Sequence, residues 1–439
     1  MKASIIGGGL VGSLWSIYLS KIGYNVKVFE KRADLRSNKN SSGRSINLAL
    51  SYRGIQSLKR AGIYDYIENI TIPMYGRLMH DKIGGTAYQK YGTHNEAIYS
   101  VPRKELNMIL INLAEDHGVD FLFNHNCQGA DFKKNILTFN NNQYQSDIIF
   151  GADGANSFIR SKIQEELKDF SIEDGRTNTS YKEIYLPAYK NGTCRLNNKA
   201  LHIWPRGHFM LIALPNLDAS FTCTLFMPTS GLEQSFEDLN SKSKISIFFK
   251  ETFPDFYDLY PEFINNWDDY PISNLSFVKC YPWSINNTLI IGDAAHAVVP
   301  FYGQGMNSGF EDCEILYDLA LQYNNDWKNI MDSFQKSRKI DADAIVNLSL
   351  GNYHVMRDYV SNEKFLLQKK IENQFSIKHP DKWTPLYSMV TFSATPYNKA
   401  FLLGEKQNNI MRKVMMIDNI KDIWETEYVE RFILKMLED

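Results

Sequence analysis

Gly7, Gly9 and Gly12 stand between a short apolar run, Ala3-Ser4-Ile5-Ile6, and a segment in which Leu10, Leu14, Ile17, Tyr18 and Ile22 recur with helical spacing. A Gly-x-Gly-x-x-Gly turn between strand and helix suits the pyrophosphate of a dinucleotide. The first glycine permits the tight turn, the second lets the backbone approach the phosphates, and the third lets helix and strand pack closely. The helix start adds free N–H groups and a partial positive charge. Glu30 closes the next apolar run, Val26-Lys27-Val28-Phe29, 18 residues after Gly12, where an acid can accept ribose hydroxyls. Strand, helix and acid together argue against a plain turn. They leave open which dinucleotide binds.

Two later segments repeat the pattern of an apolar run and then a turn. Gly151-Ala152-Asp153-Gly154-Ala155-Asn156-Ser157 follows one run, with Arg160 in the helix beyond it. Gly292-Asp293-Ala294-Ala295-His296 follows Leu289-Ile290-Ile291. Taken singly, each is equally a strand-to-helix cap. His296 is the tempting catalytic histidine, but its place in such a segment predicts a hydrogen-bonded structural role. Arg103 opens a helix, where a cation opposes the helix dipole and so needs another reason to be there.

Several elements must position these residues. Helices are expected over 52–61 and 103–117, short antiparallel strands over 74–101, and strands through 119–151. Tyr181–Leu186, Ala200–Trp204, Phe209–Leu214 and Phe221–Phe226 follow one another without helices, which predicts an antiparallel sheet inserted between α/β parts. Thr288–Ile291 reads as one more buried strand, and the chain from Gly305 onward as mostly helical. Its last stretch, Glu425–Asp439, reads as an amphipathic helix that packs on the body. The fold class is thus α/β (α+β), Rossmann-like at the N-terminus.

The 439 residues allow two or three domains, and 44% hydrophobic with 22% charged residues argues against disorder. With 48 basic and 50 acidic residues the formal net charge is -2, which gives no general pull toward nucleic acid or anionic lipid. No run approaches the ~18 apolar residues of a membrane-spanning helix, and the start lacks the features of a signal peptide. Five cysteines (Cys127, Cys194, Cys223, Cys280 and Cys313) are scattered singly, so neither a zinc site nor a disulfide framework is expected. A cytoplasmic protein with no membrane anchor and no metal is the expectation.

Taken in order, the three glycine-rich segments resemble the flavin-dependent aromatic hydroxylases of the p-hydroxybenzoate hydroxylase group. Five further stretches are similar to the kynurenine 3-monooxygenase family: 43–51 (Gly-Arg-Ser-Ile-Asn-Leu-Ala-Leu-Ser), 201–205 (Leu-His-Ile-Trp-Pro), 221–228 (Phe-Thr-Cys-Thr-Leu-Phe-Met-Pro), 299–307 (Val-Pro-Phe-Tyr-Gly-Gln-Gly-Met-Asn) and 387–393 (Tyr-Ser-Met-Val-Thr-Phe-Ser). The resemblance implies a discontinuous FAD-binding domain (1–73, 100–180 and 277–325), a substrate-binding sheet domain (74–99 and 181–276) and a C-terminal helical region (326–439). It implies FAD held by Gly7, Gly9, Val11, Gly12, Glu30, Arg32, Ala49, Arg103, Asp153 and Asp293, with the backbone of Gly305, Met306 and Asn307 facing the flavin ring. For the substrate it implies Arg77 on the carboxylate, helped by Tyr91, Asn352 and Tyr387, and a ring pocket that includes Met210, Thr224, Phe226 and Phe301. By residue type alone Arg77 is as readily a surface arginine, and the pocket residues are ones any sheet would bury.

The reaction implied is hydroxylation of L-kynurenine to 3-hydroxy-L-kynurenine with NADPH or NADH and O₂, by way of a flavin C4a-hydroperoxide, in tryptophan catabolism toward pyridine nucleotides. No side chain is implied as an obligate acid or base, since the chemistry belongs to cofactor and substrate. Two alternatives stay open at this point. One is a related flavin hydroxylase of another aromatic acid. The other is a non-catalytic binding protein on the same fold. Oligomeric state is not legible.

Overall fold

Lys2–Ile6 and Asn25–Phe29 bury side chains on both faces, as central parallel strands do. In the computed structural model, which describes residues 1–37, 46–92, 95–140, 142–231, 234–355 and 363–438, they lie side by side in a six-stranded sheet. Its order is Ser284–Ile285, Thr288–Ile290, Ile148–Gly151, Lys2–Ile6, Asn25–Phe29 and Asp120–Leu122. All neighbours run parallel except the first pair, a hairpin. The helix Leu10–Lys21 covers this sheet through Leu14, Trp15 and Ile17. Three strand ends (Ile6, Gly151 and Ile290) therefore sit adjacent and open toward one place, where an open α/β sheet receives a ligand.

The inserted sheet has seven strands, in the order Ser273–Tyr281, Ser171–Leu186, Phe221–Pro228, Phe209–Pro215, Leu201–Arg206, Gly76–His80 and Thr86–Lys90. Every residue of Phe221–Pro228 is buried because both faces are covered. Leu225, Met227, Leu211 and Trp204 pack with Phe248, Phe249 and Phe256 on the outer side. Phe226, Met210 and Ile203 pack with Phe301 on the inner side. Period-two alternation assigns these residues to opposite faces.

One expectation needs correction here. The strand read as Tyr181–Leu186 begins at Ser171, because residues 171–176 pair with 276–281 before a register shift between Arg176 and Ser180. The strands within 74–101 are short with antiparallel partners, as expected, but they divide between two sheets. Gly76–His80 pairs antiparallel with Thr86–Lys90 but parallel with Leu201–Arg206. Ile98–Pro102 leaves for a separate sheet with Asn47–Leu50 and Ile72–Met74. A parallel join across more than a hundred residues leaves no local pattern to read.

The remaining chain is helical as expected, with Trp327–His354, Glu363–Lys378, Leu386–Phe392, Tyr397–Val414 and Glu427–Glu438. The last of these buries Val429 and Ile433 against Phe375, Ile410 and Val414. Among the described residues no helix is long and apolar enough to cross a membrane. Residues 43–45 of the 43–51 stretch lie outside the described residues.

Candidate active site

The two sheets enclose a cavity of about 610 Å³. Gly7, Gly9, Val11, Glu30, Arg32, Ala49, Arg103, Asp153, Asp293, Gly305 and Met306 border it on the side of the parallel sheet. Arg77, Met210, Thr224, Phe226, Phe301 and Tyr387 border it on the side of the inserted sheet. Gly12, Asn307, Tyr91 and Asn352 do not border it and act from behind.

The glycines divide the work as their spacing predicts. A Cβ on Gly12 would lie 2.0 Å from the Gly7 carbonyl oxygen, so Gly12 serves helix–strand packing. A Cβ on Gly9 or Gly305 would meet nothing within 4 Å, so the backbone at both points faces open space. Such a cradle fits the phosphates and ring of a flavin dinucleotide. Glu30 Oε2 accepts from the Gly8 N–H (2.9 Å), and Oε1 accepts from Arg32 N (2.9 Å) and Nε (2.7 Å). Burial works against its charge, but the hydrogen bonds from Arg32 prevail and hold the carboxyl below its usual range. Arg32 Nη2 adds a longer fourth bond to Oε2 (3.3 Å), the one a ribose hydroxyl would most readily displace.

Asp153 caps its own helix, accepting from Ser157 Oγ (2.5 Å), Phe158 N (2.7 Å) and Ile159 N (3.2 Å). Arg160 ties this turn to the other one through the carbonyls of Ala155 (2.5 Å) and Ala294 (2.9 Å). Asp293 has surface open to the cavity yet is ringed by protein, and burial raises its carboxyl above the usual value. Asn307 works as a staple: Oδ1 accepts from Ser51 N (2.9 Å), while Nδ2 donates to Ala49 O (2.9 Å) and Gly303 O (2.8 Å). His296 donates or accepts at Asp312 Oδ2 (2.6 Å) and is 2% exposed, the structural role expected of it.

On the substrate side, Tyr91, Tyr387 and Tyr302 form a ladder of near-parallel rings, with successive centroids 5.6 and 5.7 Å apart. The Arg77 guanidinium lies 4.1 Å from the Tyr387 ring centre and 5.6 Å from that of Tyr91. Among the described residues, Arg77 Nε and the Tyr91 hydroxyl are buried without a hydrogen-bond partner. Burial pushes the Tyr91 hydroxyl well above its usual value, so it stays a neutral donor. Asn352 Nδ2 donates to the Phe301 carbonyl (2.7 Å), and the Phe301 ring packs 5.2 Å from that of Phe226.

Sequence spacing gives no sign of two other groups. His125, Asn126 and Cys127 border the cavity beside Glu30, because the strand Asp120–Leu122 pairs with Asn25–Phe29 and carries them there. Glu183 stands opposite Thr224 in the inserted sheet. Burial raises its carboxyl from 4.5 to about 7, with Arg103 opposing. Between those values the folded chain holds a proton that the unfolded chain has released, so stability falls as pH rises through that window, by at most ~3 kcal/mol. Glu183→Gln cannot ionise and flattens this fall. Urea unfolding at pH 5 and pH 8 checks it, and equal pH dependence in both proteins would refute the assignment.

Residues 1–349 match the family model described as FAD binding domain. The kynurenine 3-monooxygenase of Flavobacterium psychrophilum is 46% identical, over 99% of this chain and 98% of its own length. That of Dictyostelium discoideum is 39% identical over 94% and 92%. Among solved structures, 2-methyl-3-hydroxypyridine-5-carboxylic acid oxygenase superposes with a TM-score of 0.69 at 19% identity, covering 82% of this chain and 93% of that one. PqsL of P. aeruginosa gives 0.67 at 16%, covering 82% and 97%. These two likenesses show a shared fold. The full-length identity shows more, and by it the chain belongs to the kynurenine 3-monooxygenase family.

Proposed function

We propose that this protein is an FAD-dependent monooxygenase that converts L-kynurenine to 3-hydroxy-L-kynurenine with NAD(P)H and O₂. The observation that carries the reading is the orphaned pair of Arg77 Nε and the Tyr91 hydroxyl, next to the cavity that the glycine cradle borders. Buried donors, one of them cationic, are costly unless an anion meets them. An amino-acid carboxylate meets a guanidinium with both oxygens. L-Kynurenine carries such a carboxylate at the amino-acid end of an aromatic amine, and Met210, Thr224, Phe226 and Phe301 offer the ring an apolar slot.

FAD, when bound, supplies hydride acceptance and oxygen activation. The chain's residues bind, orient and exclude water. Gly7, Gly9 and Gly12 shape the phosphate turn, and Glu30 with Arg32 would hold the ribose. Asp293, Arg103 and Asp153 would hold the rest of the cofactor. Gly305, Met306 and Asn307 would present a helix start to the ring, which favours negative charge. Val11 and Ala49 wall the same space. Arg77 and Tyr387 would grip the substrate, with the Tyr91 hydroxyl just behind them, while Asn352 sets Phe301. The three-part division at 1–73/100–180/277–325, 74–99/181–276 and 326–439 belongs to this reading. So does a cytoplasmic location, in keeping with five free thiols.

The deciding experiment follows NADPH oxidation by purified protein with and without L-kynurenine, and identifies products by mass. A yellow protein stimulated by kynurenine, giving a product heavier by one oxygen, is the expected result. Stimulation that yields only peroxide would remove kynurenine as the substrate. A colourless, unstimulated protein would remove the enzyme altogether.

A further inference from the structure

Gln304 borders the cavity just before the helix Gly305–Gln322 and is buried. Its amide is oriented from both ends: Oε1 accepts from the Tyr397 hydroxyl (2.9 Å), and Nε2 donates to Ser51 Oγ (3.2 Å). Tyr397 is fully buried at the start of the helix Tyr397–Val414, and burial keeps its hydroxyl a neutral donor. The ring is held between two cations, Arg53 at 3.9 Å and Arg338 at 5.6 Å from its centre. Both arginines pair with Glu311.

The same hub grips the cofactor side. Arg338 donates to the Ser308 carbonyl (3.0 Å) and hydroxyl (2.9 Å) and pairs with Asp312 (2.7 Å). Asp312 in turn accepts from the N–H of Gly292, next to Asp293 (3.0 Å). It reaches the substrate side as well. Only the turn 393–396 separates Tyr397 from the helix Leu386–Phe392, whose Tyr387 lies under Arg77. Arg53 clamps that turn by donating to the Thr395 carbonyl.

We propose that Tyr397 is a positioning residue whose hydroxyl, through Gln304, sets the flavin-facing helix start in step with the substrate-contacting helix Leu386–Phe392. The inference rests on the function proposed above and deepens it. A filler role for Tyr397 would need only the ring, whereas a positioning role needs the hydroxyl. Tyr397→Phe separates the two, since it keeps the ring between its cations and removes one hydrogen bond.

In the FAD-loaded enzyme, Tyr397→Phe lowers kynurenine's stimulation of anaerobic flavin reduction by NADPH about tenfold, the equivalent of one buried hydrogen bond. The fraction of NADPH ending as hydroxylated product falls, and the visible circular dichroism of the bound flavin shifts. Kynurenine and FAD affinities change less than about threefold, the arm that separates positioning from general loosening. Gln304→Met removes the same bond from its other end. In that background Tyr397→Phe adds nothing if the two act as one pair. The cycle also serves should Tyr397→Phe retain FAD poorly.

Stimulation and dichroism like the wild type in Tyr397→Phe, or additive losses in the double variant, would overturn the inference. A wild type that kynurenine does not stimulate would instead overturn the functional reading beneath it.

Discussion

Arg77→Met abolishes kynurenine-stimulated NADPH oxidation while the protein stays yellow. The side chain keeps an unbranched apolar stem and loses the guanidinium a carboxylate needs. Arg77 presents a guanidinium over the Tyr387 and Tyr91 rings, and its Nε has no hydrogen-bond partner among the described residues. Breaking a buried charge pair by removing one member costs about 3–5 kcal/mol, so kcat/KM for kynurenine falls by about 10²–10⁴. Arg77→Lys falls between, because an ammonium cannot match both oxygens in a plane. FAD affinity, read by flavin fluorescence, stays near wild type, since the glycine cradle, Glu30 and Asp293 are untouched. Wild-type stimulation in Arg77→Met would remove Arg77 as the carboxylate anchor.

Arg338→Met destabilises the FAD-loaded protein by about 3–5 kcal/mol. Arg338 is 1% exposed in its side chain and faces Glu311 at 2.7 Å and Asp312 at 2.7 Å. Burial alone would raise the Asp312 carboxyl, yet His296 and Arg338 hold it below its usual range. Removal of the guanidinium leaves two carboxylates facing an apolar side chain, and two donors to Ser308 go with it. FAD retention weakens too, because Asp312 orients the Gly292 N–H beside Asp293. Urea unfolding at fixed excess FAD measures the loss. A change under about 1 kcal/mol would show that the hub relaxes around the missing charge.

The phosphate turn was legible because its demands are local. Gly12 answers to the Gly7 carbonyl a few residues away, Gly7 to Ala152 at the end of the neighbouring strand, and Gly9 to the open space beside the turn. The inner and outer faces of Phe221–Pro228 were less so: a mostly apolar run says that both faces are covered and not by what. His296 was read as structural from its segment type, and Asp312 is the partner that makes it so.

By itself the sequence determined where backbone turns approach a dinucleotide, because glycine and strand-to-helix spacing act over a few residues. It also determined, through its resemblance, which family those turns serve. Tertiary structure alone decided the parallel join of Gly76–His80 to Leu201–Arg206, which brings Arg77 beside Leu201. It alone decided that Arg77 Nε and the Tyr91 hydroxyl lack a hydrogen-bond partner among the described residues, that Glu183 feels the charge of Arg103, and that Tyr397 meets Gln304 across 93 residues. The physical reason is one of range. Periodicity and turn chemistry report a residue's own neighbourhood. Burial, orphaned donors and ion pairs depend on which distant segments share a volume, and no local spacing encodes that.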